Sequence, residues 1–255
     1  MQRADPVLVF DLDGTVLCVN SFPVWVLFLA FGRARKLGVG RQLRISATVL
    51  RLLMLRKLGR IRHPELLHKL QELWRASTNN GDAAAIERFV GLLAWCVRSN
   101  FAPILKLVRD GTLDGMIATA AAEDYAAALG QRLGVPHVLA TRTGRKSSDP
   151  DNIGVHKRDG VIAWLHESGR GGRPLIFFND HIADLPLMRE CDVVCWFGSS
   201  KSLQAAREAA PGVRFVDCRK LTASEMHATV AHLCQSVTFA RMQAQEAERR
   251  ANTFA

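Results

Sequence analysis

The sequence predicts an α/β fold, a parallel sheet with an all-helical segment inserted after its first strand. Three observations carry this. Val7-Leu8-Val9-Phe10 is a short apolar run closed by the Asp13-Gly14 turn, as a buried strand requires. From Asp114 onward, apolar runs alternate with helical periods, the pattern of parallel strands joined by right-handed crossovers. Between these stretches, residues 19–102 show helical periodicity and no strand.

Taken in order, Asn20-Ser21-Phe22-Pro23 reads as a helix start, with a polar cap and a proline in the first turn. Ile45, Val49, Leu52 and Leu53 share one helical face, and Leu66, Leu67, Leu70, Leu73 and Trp74 share another. Gly38-Val39-Gly40 and the stretch Ser77 to Gly81 break the periodicity. The segment is expected to lie over the C-terminal edge of the sheet as a lid. Gly115–Thr119 then reads as a strand, Ala122–Leu133 as a helix and Val135–Ala140 as a strand. Pro174–Phe178 is a further strand, followed by a helix around Ile182–Glu190, and Val193–Cys195 and Val213–Val216 close the sheet. Thr222-Ala223-Ser224-Glu225 is a capping box opening a last helix, with Met226, Val230, Leu233 and Val237 on one face. The polar end, Glu246–Ala255, reads as frayed. The expected units are a core of residues 1–18 and 103–221, a helical cap of 19–102, and a C-terminal helix extension of 222–255.

Composition excludes several classes. Apolar residues make up 48% and charged residues 23% of 255 positions, which a disordered chain would not show. Six cysteines are scattered with neither Cys-x-x-Cys nor zinc-type spacing, so a reduced, cytoplasmic setting is expected. The first residues show no signal or transit peptide, and the apolar stretch Phe22–Phe31 is too short to span a bilayer. The net charge of +10 belongs to one segment: ten Lys/Arg and no acid lie between Arg33 and Arg62, while 24 Lys/Arg balance 24 Asp/Glu elsewhere. That run reads as a solvated face, a dock for a polyanionic substrate, or a peripheral contact of residues 22–62 with an anionic membrane. The membrane reading rests on Phe22, Trp25, Leu27, Phe28 and Phe31 beside the basic cluster. Nucleic acid is disfavoured, since no binding module is present and a single tyrosine leaves few stacking platforms.

Candidate chemistry lies at the strand ends, where ligands of open α/β sheets bind. Asp11 and Asp13 follow the first strand, and Gly14 lets the backbone bend and turn its amides toward an anion. Thr119 and Ala120 end the second strand, where a hydroxyl at a helix start suits an anion; alone, Thr119 reads as a helix cap. Lys157 opens a helix and alone reads as a surface lysine. Asn179, Asp180 and Asp184 follow the Phe177-Phe178 strand end, and alone the two acids read as helix-start residues. His156 and His181 are read as bystanders.

As a set, Asp11-Leu12-Asp13-Gly14-Thr15, Thr119, Lys157 and Asn179-Asp180-His181-Ile182-Ala183-Asp184 resemble the four motifs of the haloacid dehalogenase-like hydrolase superfamily. The inserted helices, Asn152-x-Gly154-x-x-Lys157 and Asp184-Leu185-Pro186-Leu187-Met188 resemble its phosphoserine-phosphatase-like branch. The likeness spans residues 7–18 and 103–217 and implies a Rossmann-like, three-layer core with a helical cap. It implies a phosphatase in which Asp11 is the nucleophile forming an aspartyl-phosphate and Asp13 the general acid/base. Thr119, Ala120, Gly14 and Lys157 would bind phosphate, Asp11, Asp13 (through its carbonyl) and Asp180 would hold Mg²⁺, and Asp184 and Asn179 would support them. A carboxylate attacking an anionic phosphate needs such cations beside it. An Asp at position 13 favours phosphatase or phosphotransferase over dehalogenase or ATPase-pump chemistry. Many relatives have Gly or Ser at position 179, and Ser or Gly at position 181. The acidic, Phe and Arg pattern with which phosphoserine phosphatases grip serine is not found, which disfavours phosphoserine. The implied substrate is a phosphate monoester; a lipid phosphate of the phosphatidylglycerophosphate kind, phosphotransfer, and a non-catalytic binding protein using the basic cap are the alternatives.

Overall fold

The computed structural model describes residues 5–32, 38–78, 83–142 and 150–253. Six parallel strands form one sheet in the order β3-β2-β1-β4-β5-β6: β1 Val7–Phe10, β2 Asp114–Ala122, β3 Val138–Thr141, β4 Leu175–Asn179, β5 Val193–Trp196 and β6 Arg214–Asp217. The strand order reverses direction at β1, which places the crevice for a ligand at its C-terminal end. Alternation sorts the side chains of β1 to opposite faces. Leu8 and Phe10 join one core with Phe101, Phe178 and Met226, while Val7 and Val9 join the other with Val161, Phe177 and Trp196. Both faces of β1 are buried, which explains a strand with no polar residue.

Between β1 and β2 lie α1 Ser21–Phe31, α2 Val39–Lys57, α3 His63–Thr78 and α4 Ala83–Trp95, then α5 Ala102–Arg109. The first four are closed at their base by a single antiparallel bridge, Leu17 to Val97. There Cys18 N–H donates to Cys96 O at 2.8 Å and Arg98 N–H to Val16 O at 2.9 Å. The later helices are α6 Glu123–Leu133, α7 Val155–Glu167, α8 Leu185–Met188, α9 Ser200–Ala209 and α10 Ala223–Thr253. An aromatic cluster ties the inserted helices to α6: Tyr125 meets Trp25 at 5.8 Å and Phe89 edge-on at 5.0 Å, and Phe28 meets Phe89 at 5.2 Å. Each such pair adds about 0.5–1.5 kcal/mol beyond burial.

Several sequence expectations are confirmed in place. Asn20 caps α1 by accepting from Phe22 N–H, the Thr222/Glu225 box is reciprocal, and Met226, Val230, Leu233 and Val237 are buried. Others need correction. The second strand runs past Thr119 to Ala122 through a register shift, so α6 begins at Glu123. The third strand starts at Val138, because left-handed Gly134 ends α6 and Pro136 follows. Ile182–Glu190 is a short 3-10 turn, Ile182–Asp184, followed by a single turn of helix whose first residues include Pro186. Two strands shift by one residue, to Leu175–Asn179 and Arg214–Asp217, and the Val193 strand keeps its start and runs one residue further, to Trp196. Gly38 caps α2, but Val39 and Gly40 lie inside it. Leu53 is exposed while Ile45, Val49 and Leu52 are buried. The frayed end expected from Glu246 is helical through Thr253. Of the residues read as membrane-facing, Trp25 and Phe28 are buried in the core that also holds Phe10 and Tyr125, whereas Leu27 and Phe31 are exposed. Asn79–Gly81 of the expected break, and Arg33, Arg35 and Lys36 of the basic run, lie outside the described residues. Among the described residues no helix is long and apolar enough to cross a membrane.

Candidate active site

β1 delivers Asp11 to the sheet edge, where its N–H donates to Phe178 O of β4 at 2.9 Å. The chain then makes a wide turn over Leu12–Val16, with Leu17 N–H donating to Leu12 O at 2.8 Å. Gly14 sits at φ +75° with the Asp180 carboxylate directly against it, so a Cβ there would overlap Asp180 Oδ2. Only glycine satisfies both conditions. Arg98 clamps this turn, donating from Nε to Thr15 O and from Nη2 to Gly14 O, each at 3.0 Å.

Lys157, on the first turn of α7, is 1% exposed. Its Nζ donates to Asp11 Oδ1 at 2.8 Å and to Asp184 Oδ2 at 2.6 Å. Burial opposes its charge, yet the two carboxylates outweigh burial and hold the ammonium above the usual lysine range. Gly154, at φ +59° before α7, donates its N–H to Asp184 Oδ1 at 3.3 Å. Asp184 therefore holds both the lysine and the helix that carries it.

Burial pushes Asp11 up to about 6 against the pull of Lys157, with Asp184 adding repulsion. Asp180 is pushed to about 6 by burial and then by Asp11, against His181. Asp13 is raised by burial against hydrogen bonds from Ser21. Its Oδ1 accepts from Ser21 N–H at 2.8 Å, at the start of the cap's first helix, and Ser21 Oγ shares a 2.7 Å hydrogen bond with Tyr125 OH.

Asp11, Lys157 and Asp184 are thus in direct contact, Asp180 abuts Gly14, and Asp13 is held by α1. Thr119 is not at a helix start, as expected, but inside the irregular end of β2, its Oγ1 accepting from Ala121 N–H at 3.1 Å. Asn152 pins that end, donating from Nδ2 to Thr119 O at 2.9 Å and to Leu139 O at 3.0 Å, and Thr141 Oγ1 donates to Ala120 O at 2.8 Å. Thr119 and Ala120 make no hydrogen bond to the carboxylates among the described residues. Asn179 is buried, its Nδ2 donating to His181 O at 2.7 Å, while its Oδ1 has no hydrogen-bond partner among the described residues. His181 Nδ1 accepts from Ala183 N–H and so caps the 3-10 turn.

Sequence reasoning missed Arg98, Tyr125 and the contact of Ser21 with Asp13. Ser21 and Tyr125 are 104 positions apart, and no local pattern encodes such a meeting.

Among the described residues no cluster of three or more His, Cys, Asp or Glu side chains forms a metal site. The donor set nevertheless fits a hard, water-retaining cation. Asp11 and Asp180 offer two carboxylates around the glycine cradle, with the Asp13 carbonyl as a third oxygen, and Mg²⁺ completes its shell with water and substrate oxygens.

A family model described as haloacid dehalogenase-like hydrolase matches residues 8–189. A search of curated proteins finds no match. Among solved structures, a protein of unknown function from Bordetella pertussis Tohama I is similar with TM-score 0.65 at 20% identity, over 84% of this chain and 98% of that one. A probable phosphoserine phosphatase from Vibrio cholerae gives 0.57 at 11%, over 94% and 67%. Cytosolic 5'-nucleotidase IIIB, solved with cytidine, gives 0.55 at 12%, over 95% and 88%. The three share a fold with this chain. With its sheet, its strand-end carboxylates and a family match over most of its length, the chain belongs to the haloacid dehalogenase-like hydrolases.

Proposed function

We propose that the protein is a Mg²⁺-dependent phosphatase that hydrolyses a phosphate monoester, of a small molecule or a lipid, in two displacements. The observation that carries this is the buried Lys157 ammonium between Asp11 and Asp184 at 2.8 and 2.6 Å, with Asp13 held apart by Ser21. It supports a division of labour between two neighbouring carboxylates. In the first step an Asp11 oxygen bonds to phosphorus as the ester P–O bond breaks, and the Asp13 carboxyl gives its proton to the leaving alcohol. In the second, Asp13 takes a proton from water as the water oxygen bonds to phosphorus and the Asp11–phosphorus bond breaks. A buried Asp13 with a raised pKa suits a group that starts protonated. Lys157 holds phosphoryl oxygens and keeps Asp11 ionised; Thr119, Ala120 and Gly14 offer further contacts, and Asn179 and Asp184 fix the loop and the lysine. Mg²⁺, held by Asp11, Asp180 and the Asp13 carbonyl, would neutralise charge on the phosphoryl group.

We assign the core to residues 1–18 and 103–221, the cap to 19–102 and the C-terminal extension to 222–255. The bridge between Leu17 and Val97 supports the cap's near end. All six cysteines are free, which supports a cytoplasmic setting. The test is phosphate release from a panel of soluble and lipid monoesters, with and without Mg²⁺, for wild type and Asp11→Asn. Release that needs both Mg²⁺ and Asp11 is expected. Release that survives Asp11→Asn overturns the mechanism, and transfer to alcohol acceptors in place of release makes the protein a phosphotransferase.

A further inference from the structure

The basic cap presents an apolar face where its charge predicts a polar one. On α2, Ile45, Val49 and Leu52 are buried against the neighbouring helices, and the opposite side is set by Val39, Leu43, Leu50 and Met54, continued by Leu58 at the helix's C-cap. These recur at steps of four, seven, four and four residues, so they form one stripe along the helix. They are 75%, 63%, 58%, 58% and 69% exposed, and Ala47 fills the gap in the stripe and is exposed too. An exposed apolar stripe of this length marks a contact surface.

Its surroundings identify the occupant. Arg44, Arg51, Arg56 and Lys57 on the same helix are exposed, and among the described residues none has an ion-pair partner. Beside the stripe, a cleft of about 330 Å³ is lined by Arg41, Arg44, Ile45, Thr48 and Leu73. Arg41 Nη2 is fixed there by donating to Ala76 O at 3.0 Å. Two guanidiniums and a hydroxyl beside an apolar surface match a phosphate headgroup whose acyl chains continue into hydrocarbon. A second copy of the chain fits poorly, because a two-fold pairing of α2 would set Arg44 and Arg51 against their own images.

We propose that the outer face of α2 docks the protein onto a bilayer containing anionic lipid, with Leu43, Leu50 and Met54 entering the headgroup boundary and Arg41 and Arg44 holding lipid phosphate. This surface is separate from the carboxylate site and stands whether or not the protein is a phosphatase. The docked face lies on the cap, whose first helix holds Asp13, so lipid-borne monoesters would meet the protein on its cap side.

The experiment is co-sedimentation with vesicles of phosphatidylcholine alone and of phosphatidylcholine mixed with phosphatidylglycerol, at low and high salt. Wild type is expected to sediment with the anionic vesicles only, and less at high salt. Leu50→Glu/Met54→Glu should weaken that binding more than about tenfold, and Arg44→Ala about fivefold. Hydrolysis of p-nitrophenyl phosphate should be the same in all three proteins; its absence in wild type bears on the phosphatase reading and leaves the vesicle result standing. Wild type that fails to bind anionic vesicles overturns the proposal, as does a double variant that binds like wild type. So does a wild-type dimer in sedimentation velocity that Leu50→Glu/Met54→Glu converts to monomer.

Discussion

The end of β1 and the outer face of α2 carry charge in opposite ways. At the strand end Lys157 is buried and satisfied by two carboxylates, and Gly14, Arg98 and Ser21 hold the surrounding turn in place. On α2 the cations are exposed and among the described residues have no acid partner, and the apolar residues beside them face outward. Buried charge demands fixed partners at short range, whereas exposed charge acts as a field on whatever approaches. We read the first region as the holder of a small anion in a single geometry and the second as a face that meets a surface.

Substitutions at the strand end should therefore be costly and specific. Asp13→Asn should slow turnover by about 10²–10⁴-fold. The loss should be greatest for monoesters of poorly acidic alcohols, whose leaving oxygen most needs a proton. Steady-state rates across a series of leaving groups test this, and a loss that does not vary with the alcohol argues against an acid role. Lys157→Met leaves Asp11 and Asp184 buried without their cation, and should cost about 3–5 kcal/mol at neutral pH. Urea denaturation should find a smaller cost near pH 5, where a buried carboxyl can protonate instead.

Smaller effects sharpen the contrast. Tyr125→Phe removes the partner of Ser21 Oγ and should cost about 1 kcal/mol. Asp180 is raised to about 6 when folded and is near 4 when unfolded. The folded protein therefore binds the extra proton, and this group's contribution to stability is lost as pH rises from about 4 through 6. Without Mg²⁺, Asp180→Asn should be more stable than wild type at pH 7.5 by about 1 kcal/mol, a figure reduced for its partial exposure, and indistinguishable at pH 4. Melting curves at the two values decide; an advantage that grows toward low pH would contradict the assignment. Met54→Gln on α2 should leave thermal stability within about 0.5 kcal/mol.

What the sequence made legible follows the same divide. Val7–Phe10, the Asp11 to Thr15 turn and Lys157 were readable because strand, turn and helix start are local patterns. The alternation of short apolar runs with helices gave a parallel sheet for the same reason. The clamp by Arg98 and the Ser21–Tyr125 contact were not readable, because they join distant segments through the closure of the cap. Thr119 is misplaced at a helix start because Ala120, Ala121 and Ala122 are strong helix formers, yet pairing of Ala118 and Ala122 with β3 and the Thr141 hydrogen bond to Ala120 O keep the stretch extended. A lipid contact for Phe22, Trp25, Leu27, Phe28 and Phe31 is one of three readings the sequence leaves open, because the period is ambiguous in a helix apolar on most sides. The structure places Trp25 and Phe28 in the core, while Leu27 and Phe31 of the same helix face outward, as does the apolar stripe of α2.

The most direct test of the nucleophile is to quench the enzyme in acid while it turns over a phosphate monoester with Mg²⁺, reduce the acyl phosphate with borohydride, and map the modified residue by mass spectrometry. The account predicts modification at Asp11 alone, absent in Asp11→Asn. Turnover with no modified residue, or modification at Asp13, Asp180 or Asp184, would contradict it.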